Sequence, residues 1–407
     1  MNIQLHEKLI DKQSELCDWF TEKSKDLFFP IYTSYDIRDS GYKISPVDAN
    51  VFPAGFNNIC AVDKESASGI MKQYIERNYG VIKKILIISE EHTKNLFYWE
   101  NVYWIQKIIL NAGYEVKVTF AKELEATLDL TTSMGNKVLV EPSLRDEGTV
   151  SIGAFVPDLI ISNNDFTQDY SHWMKNLTVP LNPHYAMGWH RRKKSIFFKH
   201  YNKIAQEFCE IIDHDPWGLQ IQTELVEGFS LTSEDDRQKL AIKVDNMIAY
   251  LAEKYKSHSV KGEPFVFIKN ASGTYGMGVT QVHSGEEVLS WNSKARKKLK
   301  ASKGNVGLAN LILQEGIPTT VTEDDATAEP AIYMVGNQLA GGFLRVHKDK
   351  GPKDSLNSPG AVFKRLCVSD LELNAQSCCL ENVYGWIGRL SALAVAQEAS
   401  VLDSTLV

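Results

Sequence analysis

The sequence predicts a mixed protein, an α/β front half followed by an α+β back half built round antiparallel strands. Between residues 83 and 165 short apolar runs alternate with an amphipathic helical stretch, the order of a parallel sheet covered by helices. Beyond residue 260 a strand, a glycine-rich turn and a second strand read as a hairpin, not as a strand entering a helix. The 407 residues are enough for two or three cores.

The elements follow in order. KKILIIS (83–89) is a short buried strand. Residues 95–112 place Tyr98, Val102, Ile105, Ile109 and Ala112 on one helical face, and Gly113 stops that helix. YEVKVTF (114–120), KVLVE (137–141) and DLIISNND (158–165) supply three more strands. Trp189 to Ile212 reads as a helix opening on a basic block, and 235–255 as an amphipathic helix. FVFIKN (265–270) and GVTQVHS (278–284) form the hairpin, with a helix expected over 285–301. LILQ (311–314) precedes two strands, AIYMV and AGGFLRVH, that flank a Gly336-Asn337 turn, and 383–399 closes the chain as an apolar helix.

Composition narrows the function. A hydrophobic fraction of 43% and a charged fraction of 23% are those of a globular protein. The net charge of −7 disfavours a nucleic-acid partner, which would draw on excess Lys and Arg. MNIQLHEKLIDKQ lacks the apolar core of a secretion signal, and no apolar run is long enough to span a bilayer. A cytoplasmic location without membrane attachment is expected, and a homo-oligomer is allowed. Cys17, Cys60, Cys209, Cys367, Cys378 and Cys379 form no CxxC pair and are read as buried small apolar residues. Neither HExxH nor a Cys/His spacing points to zinc.

The sharpest motif is KNASGTYGMGV (269–279). Its glycines allow backbone N–H groups to approach an anion closely. Lys269 ends an apolar strand, where an ammonium is costly without an anion to pair with. No Walker run GxxxxGK[ST] occurs, and a dinucleotide fingerprint would need a helix where a strand follows. An ordinary glycine-turn hairpin is the competing reading. ILQEGIPT (312–319) puts Glu315 after a buried strand, where a hinge of Gln314, Glu315, Gly316 and Ile317 can hold adenine. AEPAIYMVGNQLAGGFLRVH with NSPG brings Glu329, Arg345 and Asn357 into one antiparallel region, two oxygen donors suited to Mg²⁺ and one fork suited to phosphate.

At these residues the chain resembles the ATP-grasp superfamily, and specifically the proteobacterial glutamate–cysteine ligase family of that fold. PVDANVFPAGFNN (46–58), NNDF (163–166), GWHRRKKSIFF (188–198), LQEGIPT, GGFLRVH and SLNSPGAVF carry the resemblance over nearly the whole chain. It implies a Rossmann-like pre-ATP-grasp domain (1–190) followed by a two-subdomain ATP-grasp module. One subdomain would hold the glycine-rich hairpin (191–318) and the other the metal site (319–407). It also implies ATP-dependent synthesis of γ-glutamylcysteine from glutamate and cysteine. Another ATP-grasp ligase with different substrates, or a nucleotide-binding protein without turnover, are the alternatives.

Site roles follow as expectations. Lys269 and Lys194 take the ATP phosphates with Ser272, Gly273, Thr274, Tyr275, Gly276 and Gly278. Arg345 stabilises the transferred phosphoryl group, and Glu329 and Asn357 are Mg²⁺ ligands. Arg38, Asp48, Asn50, Asn57, Asn58, Asn164, Asp165 and Arg192 are expected to bind the amino acids, an Arg taking a carboxylate and an Asp an ammonium.

Overall fold

The computed structural model describes residues 3–146, 148–271, 278–292, 310–372 and 381–402. Three larger sheets organise it. The central one is antiparallel and runs Val362–Arg365, Gln338–His347, Ala326–Val335, Thr33–Asp39, Ile44–Asn50, with Thr322–Glu323 pairing at the end of Ala326–Val335. Alternation along Ala326–Val335 decides which side each residue serves. Ile332 and Met334 face a core made with the helices Ile3–Asp11, Gln13–Ser24, Lys194–Ile211 and Val383–Val401. Ala331, Tyr333 and Val335 face a second core made with the helices Ala61–Tyr79 and Leu96–Asn111.

Those two helices also cover the second sheet, in the order Leu181–Asn182, Leu159–Asn163, Lys84–Ser89, Glu115–Phe120, Lys137–Val140, Leu128–Thr131. Its first four strands and Lys137–Val140 are parallel. Leu128–Thr131 joins antiparallel at one edge. The strand, helix and strand expected between 83 and 165 are present. Asn95 caps Leu96–Asn111 by accepting from the Tyr98 N–H, and Gly113 at φ +101° ends the turn after it.

The third sheet, Thr223–Glu227, Asn310–Glu315, Val266–Asn270, Thr280–Val282, is antiparallel throughout and packs on the long helix Glu234–Ser257. Ser233 caps that helix, with acids in its first turn and lysines in its last, both matched to the helix dipole. The helix expected over 285–301 is Gly285–Leu289 in the described residues, and 293–309 lie outside them. No described helix is long and apolar enough to cross a membrane.

Thr33–Asp39, inside the expected 1–190 unit, pairs with Ala326–Val335, and Lys194–Ile211, inside the expected 191–318 unit, packs in the core beside Val383–Val401. One expectation is corrected. Cys60 and Cys367 are joined in a disulfide, and not merely buried apolar residues, while Cys209 is buried as expected.

Candidate active site

Two cavities meet on the central sheet. Strand periodicity sets Asp36 and Arg38 two residues apart, and antiparallel register sets Glu329 opposite Arg345 and Asp36 opposite Asp48. Two carboxylates opposite each other would repel, so counter-charges are required. The Arg345 guanidinium donates to both oxygens of Asp36, at 2.8 and 3.1 Å, and to Glu329. Glu329 also pairs with Arg38, which is itself pinned by donating to the carbonyls of Pro352 and Asp354 at 3.0 and 2.7 Å. Asp48 accepts from Lys194 at 2.6 Å.

Burial and charge then set the protonation of this chain of ions. Burial pushes the Glu329 carboxyl up, but Arg38 and Arg345 more than offset it and hold it below the ordinary range. Burial likewise pushes Asp48 up, and Lys194 and Lys269 overcome it. At Asp36 burial wins over Arg345, and its pKa is raised.

Lys269 is the exception. It leaves the strand Val266–Asn270 at a point where Ile44–Asn50 is bulged: Asp36 faces Asp48 and Ile37 faces Pro46, so Val47 is the extra residue. The Val47 carbonyl accepts from Lys269 Nζ at 3.1 Å, and Gln314 Oε1 accepts a second bond. Among the described residues its hydrogen-bond partners are neutral oxygens. Burial, with Lys194 nearby, lowers its pKa to about 8. The nearby carboxylates of Asp48 and Glu329 oppose that shift without overcoming it.

The first cavity is lined by Asp36, Arg38, Asp48, Lys194, Lys269, Glu329 and Asn357, with Val47, Phe267, Asn270, Val279 and Ser355. The second holds Asn50, Asn58, Asp165 and Arg345 with Ser34, the turn Val51–Gly55, Trp189, Tyr333, Phe343 and Phe363. Asp36 and Asn357 line both. Asp36, Asp48, Glu329 and Asn357 carry oxygen donors of the kind a hard divalent cation takes, although each carboxylate is here held by an Arg or a Lys, and the lysines beside them are of the kind that takes phosphate.

Other expected residues have different tasks. Arg192 is buried against Glu398, its Nε and Nη2 donating at 2.9–3.0 Å, and Nη1 donates to the Ala49 carbonyl. It holds Val383–Val401 to the sheet and does not line either cavity. Glu315 is buried in an ion pair with Lys43 at 2.7 Å, its N–H donates to the Gln222 carbonyl, and it lines neither of these two cavities. Gln314 positions Lys269, Gly316 leaves room for the Phe265 ring, and Ile317 is in the main core. Asn57 donates to Asn58, and Asn164 bonds Ser89 and Phe166. Gly278, at φ +69°, leads into Thr280–Val282 and lines neither cavity. Ser272, Gly273, Thr274, Tyr275 and Gly276 lie outside the described residues.

Asp36 is the main residue that sequence reasoning missed. Its signal was weak, an acid and a base two apart in TSYDIRD, a segment whose charges hide the alternation of a strand.

Comparison with known proteins adds the following. The family model GshA, glutamate-cysteine ligase, matches residues 6–399. A solved structure from Methylobacillus flagellatus KT, provisionally described as a gamma-glutamylcysteine synthetase, is 32% identical with a TM-score of 0.86, over 98% of this chain and 96% of that one. A glutathione synthetase-like effector (GSS30) from Globodera pallida is 10% identical with a TM-score of 0.40, over 90% of this chain and 87% of its own. D-alanyl-alanine synthetase A from Vibrio cholerae is 12% identical with a TM-score of 0.37, over 78% and 81%. No curated protein matches the chain.

Proposed function

Since this chain belongs to the glutamate–cysteine ligase family, we propose that it joins the γ-carboxyl of glutamate to the amine of cysteine by way of an acyl phosphate, on an ATP-grasp architecture. A free carboxylate is a poor acceptor, so ATP first phosphorylates it. The amine then attacks that carbon, and phosphate leaves with the bonding pair of the C–O bond. No enzyme nucleophile takes part. The residues act by placing charge and excluding water.

The first cavity takes the phosphates, with Lys269 and Lys194 as their cations. The second takes the amino acids, with Asp165 for an ammonium and Asn50 and Asn58 as further polar contacts. Arg345, reaching from the second cavity to Asp36 and Glu329, stabilises charge on the transferring phosphoryl group. Asp36 lies where the cavities meet, and its raised pKa suits it to accept the proton released by the attacking amine. Glu329 and Asn357 would hold Mg²⁺, whose charge, when bound, offsets that of the phosphates.

The observation that carries this reading is the half-buried ammonium of Lys269, bonded to neutral oxygens at the wall of a cavity that adjoins a second, polar one. The test is ADP release with glutamate and cysteine. Lys269→Met should lower kcat by about 10²–10³-fold. Wild-type turnover that glutamate with cysteine does not raise, while another amino-acid pair does, would reject the substrates and keep the ligase. No ADP release with any pair would favour a nucleotide-binding protein without turnover.

A further inference from the structure

We propose that the Cys60–Cys367 disulfide is reversible and sets the shape of the second cavity, exchanging with low-molecular-weight thiols and disulfides. The proposal rests on that cavity being the amino-acid site.

The two cysteines sit just behind opposite walls. Pro53, Ala54, Gly55 and Asn58 line one side, and Cys60 follows two residues later as the N-cap of Ala61–Tyr79. Phe363 lines the other side from the strand Val362–Arg365, and Cys367 follows as the N-cap of Val368–Leu371. The Cα atoms are 6.1 Å apart across 307 residues of sequence, inside the span a disulfide can bridge. One hydrogen bond, from the Val368 N–H to Asp63 at 3.0 Å, joins the same two segments. It stays when the covalent link is cut, so reduction loosens the walls without separating them.

The surroundings favour exchange in one direction of attack. Cys60 is half-buried, whereas Cys367 is 3% exposed. An incoming thiolate therefore meets the Cys60 sulfur, and Cys367 departs as the thiolate. Arg365 Nε–H donates to the Cys367 sulfur at 2.9 Å and steadies that negative charge. A leaving thiolate so stabilised leaves faster. Oxidation runs the other way. The Cys60 thiolate attacks a small disulfide RSSR and expels one RS⁻, then the Cys367 thiolate attacks the Cys60 sulfur and expels the second. The protein loses two electrons and two protons, and RSSR becomes two RSH.

The test treats the full chain with oxidised glutathione or with dithiothreitol and follows thiol alkylation by peptide mass. Oxidation should protect Cys60 and Cys367, and dithiothreitol should expose both, more slowly in Arg365→Gln. Amide hydrogen exchange at residues 54–58 and 362–366 should quicken on reduction. KM for the amino acids should rise about fivefold or more, with KM for ATP unchanged. Cys60→Ser and Cys367→Ser should each show the reduced-state values in either buffer. Cysteines that stay alkylatable after oxidation, or exchange in those segments that ignores the bond, would overturn the proposal. So would Zn²⁺ blocking alkylation without any oxidant, since two thiolates and Asp63, whose ligand atoms lie within 4.8 Å, could instead hold a soft cation. If no amino acid supports turnover, the functional reading fails, and alkylation with hydrogen exchange still decides the switch.

Discussion

Lys269 is taken out of water and set near Lys194, and both effects favour its neutral form. Phosphate binding needs the charged form. In the free enzyme kcat/KM for ATP should therefore fall as pH rises through about 8. Lys269→Arg should remove that fall, because a guanidinium stays charged. Stability moves the opposite way. From about 8 up to the ordinary lysine value of 10.5 the folded chain holds fewer protons here than the unfolded chain, so this group's contribution rises with pH. Arg192 shows a different use of a buried charge. Arg192→Met leaves Glu398 buried without its cation, and unfolding in urea should show a loss of about 3–5 kcal/mol. Restoring part of it with Glu398→Leu would confirm the pair as structural. The sequence could not separate these cases. In the run Arg191 to Lys194 one residue is exposed, one is buried in the core, one pairs with Glu227 and one reaches the cavity. Neighbours in sequence take different directions where a turn enters a helix.

Among the elements, the turn Val51–Gly55 is the most exacting. Gly55 lies against Tyr333 and Phe343, and a Cβ there would run into the Tyr333 hydroxyl. Gly55→Ala should push this wall aside and lower kcat/KM for the amino acids by about tenfold or more, with KM for ATP little changed. Elements whose residues serve the core were legible from periodicity: Lys84–Ser89, Leu96–Asn111 and Glu234–Ser257 fall within a few residues of expectation. The strands Thr33–Asp39 and Ile44–Asn50 were not. Their Asp36, Arg38 and Asp48 turn to the cavity, and Pro46 interrupts the run beside a bulge, so site chemistry overwrites the apolar alternation that marks a strand. The Lys269, Glu329 and Arg345 group was readable as chemistry for the opposite reason, since charges within long apolar strands stand out.

For the whole molecule, the central sheet binds the first 50 residues to the last 90 or so. Residues 1–190 expressed alone should therefore give no cooperative thermal transition by circular dichroism, because Thr33–Asp39 loses the partner that Ala326–Val335 supplies. A sharp transition would support a boundary at 190. The pairing was not legible in the sequence, because local patterns report neighbours along the chain and carry no trace of which distant strand will pair.

The same pairing bears on synthesis. Asp36 and Arg345 are 309 residues apart, and at ribosomal speeds the first waits about 15–60 s for the second to emerge. During that interval Thr33–Asp39 has Ile44–Asn50 on one side only, and its other edge invites a chaperone or a neighbouring nascent chain. Slowing translation just after residue 50 should therefore increase aggregation, whereas slowing it after residue 365 should not.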